Sequence, residues 1–279
     1  VNDETISRGH LKLKANVVVS DLISSLIKTE TSSVLIFLSA EGVEASAEGE
    51  EINGKVELSL SCPCSLSERG VEELLETVGI KRAEVRLKTT FVRSEGCRSC
   101  EIAAILAAFY STGKGLDVMR ELDVSPELKA ALSSSLFGGL NIYSLKGKYP
   151  ALIRYFYPGE LLRVIVLKEP KFSGEIIVDK GSLYDFIEGL SLLYAGDGEE
   201  GTRALVTASR TMLKDLVIAE DITDLPLFPS SSGSFMLLPS TTSCSSYVMN
   251  IGSRASEFIK KRGEAKITRL SRGATVIVQ

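Results

Sequence analysis

Between a stretch of alternating polarity and an unbroken apolar run stands Ser94-Glu95-Gly96-Cys97-Arg98-Ser99-Cys100, the segment of this chain best suited to chemistry. Its small residues let backbone approach a ligand, and Arg98 adds a cation. The run that follows, Ile102-Ala103-Ala104-Ile105-Leu106-Ala107-Ala108-Phe109-Tyr110, reads as a helix that is apolar all round. The first N–H groups of a helix have no partner within it and lie at the positive end of its dipole. A turn of small residues feeding such a helix is therefore a ready anion site, and phosphates are one such anion. On that reading Gly96, Cys97, Arg98, Ser99 and Cys100 hold the anion through backbone N–H groups and the guanidinium. The same spacing also suits a plain strand-to-helix connection in which small side chains serve only packing.

The elements around this segment read as α+β. Val34 to Leu38 and Val43 to Glu48 are expected strands, and Val56, Leu58 and Leu60 alternate along a third. Asn53-Gly54 supplies the turn between them. Ser67 is placed to cap a helix bearing Val71, Leu74, Leu75 and Val78, which Gly79 ends. Ala83, Val85, Leu87 and Phe91 alternate with Glu84, Arg86 and Lys88 in a strand that leads into the anion loop. Gly113 stops the apolar helix, and further helices are expected over Ser182 to Tyr194 and Thr202 to Leu216. The acidic run Gly196-Asp197-Gly198-Glu199-Glu200 between those two reads as a solvated turn, since it lacks the spacing of a calcium loop.

Composition sets the outer limits. With 279 residues, 44% of them hydrophobic, the chain is long enough for one large domain or two fused ones. The net charge of -4, with Lys and Arg scattered, argues against a nucleic-acid surface. The longest apolar run, Val34 to Leu38, is too short to span a bilayer, and residues 1 to 15 lack the pattern of a signal peptide. A cytoplasmic protein with no membrane partner is expected. His10, the single histidine, has no nucleophile paired with it and receives no role.

Cysteines occur as Cys62-Pro63-Cys64, Cys97-Arg98-Ser99-Cys100 and a lone Cys244. The first pair is too tightly spaced for a usual zinc knuckle, and the second already belongs to the anion loop, so no metal site is assigned. Buried or half-buried thiols are the expected state, with a disulfide, a zinc site on Cys62, Cys64, Cys97 and Cys100, or a metal- or thiol-regulated protein built on those pairs as the alternatives.

The loop segment Gly96-Cys97-Arg98-Ser99-Cys100-Glu101-Ile102-Ala103-Ala104, together with Ser133-Ser134-Ser135-Leu136-Phe137-Gly138-Gly139, resembles the GHMP superfamily of small-molecule kinases, and within it the archaeal type of shikimate kinase. Gly96, Ser99 and Ala103 fit the family's phosphate loop, and Phe137-Gly138-Gly139 fits its Phe-Gly-Gly run before a strand, here Leu140 to Leu145. Thr241 to Met249, Arg254 to Arg262, Ala265 to Arg269 and Ala274 to Val278 match the family's closing order of strand, helix, strand and strand. The resemblance spans roughly residues 83 to 279. It implies a GHMP-kinase-like two-part fold, residues 1–145 and 146–279, with a ferredoxin-like C-terminal half.

The activity it implies is transfer of the γ-phosphoryl of ATP, with Mg²⁺, to a hydroxyl of a small molecule. Shikimate is the best family-level acceptor, and Ser133 and Ser134 line its pocket. Four departures bear on this. Ala130 and Ala131 stand where that kinase type keeps two aspartates, Glu101 replaces a serine, the third glycine-rich loop reads Pro239-Ser240-Thr241-Thr242-Ser243-Cys244-Ser245-Ser246, and Asn16 to Thr31 has no counterpart of the family's first motif. A non-catalytic relative that works by binding or assembly, as a homo-oligomer among other forms, is the competing expectation.

Overall fold

The computed structural model describes residues 13–62, 67–80, 83–89, 98–113, 122–159, 161–168, 176–214, 224–231, 233–240, 245–262 and 265–279. In chain order the strands are β1 (Lys14–Lys28), β2 (Ser33–Ile52), β3 (Lys55–Cys62), β4 (Ala83–Thr89), β5 (Leu140–Ser144), β6 (Ala151–Phe156), β7 (Leu162–Leu167), β8 (Ile176–Ile177), β9 (Leu227–Ser230), β10 (Gly233–Pro239), β11 (Ala265–Arg269) and β12 (Thr275–Val278). The helices are α1 (Glu68–Thr77), α2 (Arg98–Ser111), α3 (Pro126–Phe137), α4 (Lys180–Ala195), α5 (Gly198–Met212) and α6 (Ser246–Arg262). They make two compact units that interleave along the chain. One takes Val1–Val18, Ala45–Asp123 and Thr275–Gln279, the other Val19–Glu44 and Val124–Ala274.

In the first unit the strand order is β12-β1-β2-β3-β4. β2 and β3 are antiparallel, and the turn between them holds Asn53 at φ 53° and Gly54 at φ 76°, the paired positive φ that a tight hairpin needs. Val56, Leu58, Leu60 and Cys62 face inward from β3, as strict alternation requires. β4 runs parallel to β3, so the chain must cross over between them, and α1 is that crossover. Ser67 caps α1 by accepting the Gly70 N–H at 3.0 Å, and Val71 and Leu75 supply its buried stripe.

α2 is the core of this unit: every residue from Ile102 to Ala108 is fully buried. Gly49 of β2 explains how close it comes, because a Cβ there would lie 2.6 Å from the Ala107 carbonyl oxygen. A side chain at that position would push the helix off the sheet. Gly113 ends the segment at φ 75°.

The second unit contains two sheet regions. In one, Val34–Leu38 of β2 pairs antiparallel with β5, β5 with β6, and the end of β1 pairs parallel with β8. The other is a four-stranded antiparallel sheet ordered β11-β7-β10-β9. Taken along the chain, β7, the α4–α5 pair, β9, β10, α6 and β11 form a ferredoxin-like succession, with the first crossover doubled into a helix hairpin. This is the C-terminal half expected from the sequence.

Two glycines let that hairpin close. A Cβ on Gly189 of α4 would lie 2.9 Å from the Gly201 carbonyl oxygen, and one on Gly201 of α5 would lie 2.8 Å from the Gly189 carbonyl oxygen. The two backbones are therefore in direct contact. The acidic run between the helices is shorter as a turn than the sequence suggests. Gly196 caps α4 in the left-handed region, while Asp197 already caps α5 by accepting the Glu200 N–H at 3.1 Å. Glu199 and Glu200 thus sit in the first turn of α5, where they favour the helix dipole.

A second correction falls in α6, which starts at Ser246 and includes Val248 and Met249, expected as strand. Ser245 accepts the Val248 N–H at 3.1 Å, and that cap outweighs the strand preference of Tyr247 and Val248. One core gathers Phe186, Phe228 and Phe235, and another Ile165, Met236, Ile251 and Phe258. None of the described helices is long and apolar enough to cross a membrane.

Candidate functional site

The described part of the anion loop begins at Arg98, the first residue of α2; Gly96 and Cys97 lie outside the described residues. Arg98 is exposed, whereas Ser99 and Cys100 turn their side chains inward, 2% and 0% exposed. What this turn offers an anion is therefore backbone polarity at the helix's positive end and one guanidinium. Glu101, in the same turn, is half-buried. Burial pushes its carboxyl above the usual carboxylate range, and the Arg98 charge only partly opposes this. Cys62 and Cys100 are buried thiols; Cys64, Cys97 and Cys244 lie outside the described residues.

The serine segment forms α3, in the second unit. Ser125 caps it by accepting the Leu128 N–H at 3.2 Å, and Pro126 occupies the position where a missing N–H costs nothing. Ala130 and Ala131 are fully buried. Ser133 is half-buried and Ser134 fully buried. Helical spacing puts Ala130 on one face with Ser133 and Ser134, and Glu127 a turn before Ala130 and Ala131. The sequence reading missed Lys129, which is only 2% exposed and holds its Nζ 4.3 Å from the centre of the Tyr149 ring, a cation–π contact.

A polar cluster surrounds the end of α3. Ser134 Oγ, Ser135 Oγ, Asn141 Oδ1, Tyr143 OH and Ser271 Oγ are buried without a hydrogen-bond partner among the described residues. Asn141 uses its Nδ2 to donate to the Gly138 carbonyl at 2.8 Å, and Ser39 Oγ donates to the Ser134 carbonyl at 3.4 Å. Burial pushes the Tyr143 phenol up. The Ser133 and Ser134 hydroxyls stand near enough to oppose that shift without closing a hydrogen bond of good geometry. Each such orphaned group costs about 1–3 kcal/mol when dry, so the cluster keeps unused hydrogen-bonding capacity that water or a polar group could satisfy. Its chemistry is that of neutral hydroxyls and an amide, which donate and accept hydrogen bonds but abstract no proton.

The backbone order of the cluster comes from its neighbours. Ser39 N–H donates to the Gly139 carbonyl at 2.9 Å, Gly139 N–H to the Ser271 carbonyl at 2.9 Å, and Ser271 N–H to the Ser39 carbonyl at 2.7 Å. Three distant stretches of chain thus hold one another in place. No single local motif could have announced them.

No protein-family model matches the chain, and no curated protein does. Solved structures do match it. A mevalonate diphosphate decarboxylase from Staphylococcus aureus aligns over 96% of this chain and 98% of its own, at 10% identity and a TM-score of 0.56. A mevalonate-3-kinase from Thermoplasma acidophilum, solved with mevalonate 3-phosphate and ADP bound, aligns over 95% and 98% at 12% identity and a TM-score of 0.53. A phosphotransferase related to the CoA biosynthesis pathway aligns over 95% and 98% at 11% identity and a TM-score of 0.54. At such identities the likeness is one of fold. The chain has the two-part α+β fold of the GHMP kinases.

Proposed function

We propose that the chain is a kinase-like protein that binds a nucleoside triphosphate at the start of α2 and transfers its γ-phosphoryl to a small-molecule hydroxyl with impaired chemistry. The observation that carries the binding half is the contrast along α2. The helix is sealed in the core from Ile102 to Ala108, yet its first residue, Arg98, is exposed. An exposed guanidinium on the first turn of a helix, at the positive end of its dipole, fits a phosphate. Glu101 works against this fit; burial raises its pKa, and the Arg98 charge only partly offsets that.

Mg²⁺ stands differently. Among the described residues no three His, Cys, Asp or Glu side chains gather as metal ligands. Mg²⁺ is commonly held through substrate phosphates with few protein ligands, so it would enter with the triphosphate.

The impairment follows from α3. An acceptor hydroxyl must lose its proton during transfer, and Ala130 and Ala131 supply no base for it. Losing a positioned base costs about a hundred- to ten-thousandfold in rate. The face bearing Ser133 and Ser134 would hold the acceptor by hydrogen bonds. The resemblance of Ser133–Gly139 makes shikimate the first acceptor to test. Thermal denaturation with Mg-ATP, followed by ADP release with and without shikimate, tests both halves of the reading: a nucleotide-dependent rise in Tm with slow turnover is expected.

A second reading, a non-catalytic relative that works by assembly, is favoured by β6. Among the described strands it pairs only with β5, and Leu152, Ile153 and Tyr155 on it are 46%, 46% and 39% exposed. An open apolar edge of this kind invites a second copy. Light scattering on the chain and on Ile153→Lys would show a dimer that dissociates, or a monomer in both.

A further inference from the structure

Where β7 and β11 pair, the second unit carries a cavity of about 440 Å³ whose rim holds three cations, Arg163, Lys266 and Arg269, and one carboxylate, Glu41. The register sets Arg269 directly opposite Arg163. Side chains opposite one another in a sheet share a face, so two guanidinium-bearing residues stand side by side. An oxyanion lying over both would accept hydrogen bonds from each. The strand itself is anchored. Thr268 Oγ1 donates to the Glu41 carbonyl at 2.8 Å, and Ala40 bridges to Leu270.

A narrower cavity of about 160 Å³ adjoins the first and shares Arg163 and Ile267 with it. Its walls are apolar, with Leu238 from β10 and Val248, Gly252 and Ile259 from α6. Gly252 lies inside the 17-residue α6, and outside its own stretch of helix no atom lies within 4 Å of the place its Cβ would take. Glycine is costly inside a helix, and here no neighbour requires it. Its effect is to leave the groove open. Ile267, at the junction of the two cavities, is 65% exposed, an unusual state for a large aliphatic side chain beside a basic pocket.

We propose that the two cavities form one binding site for a small amphiphilic anion: a phosphate or carboxylate head over Arg163 and Arg269, and an unbranched hydrocarbon tail along Gly252 and Leu238. Guanidinium pairs match the planar or tetrahedral oxygens of such heads. The combined size lies within the range of small-molecule sites, which join apolar walls to a few polar anchors. The site stands on the second unit alone and does not depend on nucleotide binding at α2.

The test is calorimetric titration of the full chain, below micellar concentrations, with inorganic phosphate, butyl phosphate, octyl phosphate and octanoate. Burying a methylene strengthens binding up to about fourfold. Octyl phosphate or octanoate is therefore expected to bind at least about tenfold more tightly than inorganic phosphate, with butyl phosphate between. Arg163→Gln should weaken the tailed anions about tenfold. Gly252→Leu, which favours the helix and fills the groove, should erase the gain from chain length while leaving inorganic phosphate unchanged. If neither tailed anion binds more tightly than inorganic phosphate, or if the gain survives both substitutions, the proposal is overturned.

Discussion

Gly138 and Gly273 meet backbone to backbone. A Cβ on Gly138, at φ 69°, would overlap the Gly273 nitrogen, and one on Gly273 would overlap the Leu136 carbonyl oxygen. Gly138 also bridges to Arg272, and Ala274 N–H donates to the Ser135 carbonyl at 2.6 Å. The Phe137-Gly138-Gly139 run is therefore a steric joint before it is anything else. Gly138→Ala is expected to cost about 3 kcal/mol or more, from the strained φ together with the overlap. Urea denaturation measures this, and a loss below about 1 kcal/mol would contradict the packing described.

Restoring a carboxylate to α3 separates stability from chemistry. Ala130→Asp would bury a charge, but Ser134 Oγ, four residues on and without a partner among the described residues, can donate to it. A loss of about 1–3 kcal/mol is expected in denaturant titration. If the missing base limits transfer, ADP release with acceptor should rise about a hundredfold or more. Unchanged release in a folded variant would mean that the base is not what is lacking.

Asp224 ties two helices of the second unit, accepting from Arg210 of α5 and, at 2.8 Å, from Arg254 of α6. Those two guanidinium hydrogen bonds hold its carboxyl below the usual range. In the native state it therefore releases its proton at lower pH than when unfolded, and stability falls as pH drops from the ordinary aspartate value through the depressed one. Asp224→Asn should cost about 0.5–1 kcal/mol at pH 7, and that difference should vanish in strong acid. Denaturation at several pH values measures it; a pH-independent difference would contradict the ion pair's role.

Glu101 predicts the opposite sign. Its folded pKa is raised, so the native chain binds more protons than the unfolded one between the two values, and stability falls as pH rises through that window. Glu101→Gln should therefore raise Tm at pH 7 by a few degrees, about 0.5–1 kcal/mol, and leave it unchanged near pH 3. It should also tighten Mg-ATP, since a carboxylate no longer faces the phosphates. A Tm that falls at neutral pH would mean that the Arg98 contact outweighs burial.

What the sequence could reveal depended on how local each cause was. The Asn53-Gly54 turn, the Ser67 cap and the core helix α2 rest on neighbouring residues, and all three were legible. β1 was not. Its inward positions keep one phase, Ala15, Val17, Val19, Ile23, Ser25 and Ile27, but Asp21 interrupts it, Leu22 is buried out of step and Ser25 is polar, so the residue types show no clean period. β6 is exposed on both faces from Ala151 to Tyr155 and shows no alternation to read. The serines of α3 were visible through resemblance. Lys129, Asn141, Tyr143 and Ser271 were not, because only the folded chain brings α3, β5 and the stretch before β12 together.

The claim on which the functional reading rests is that the start of α2 binds the phosphates of a nucleotide. Thermal denaturation of the chain and of Arg98→Ala, across Mg-ATP from micromolar to millimolar, tests it most directly. A site that binds only the folded state must raise Tm as ligand exceeds the Kd, by about 2.7 kcal/mol at a hundredfold excess. The expected result is a concentration-dependent rise in the parent that is largely lost in Arg98→Ala. No rise at millimolar nucleotide, or an equal rise in both proteins, would contradict it.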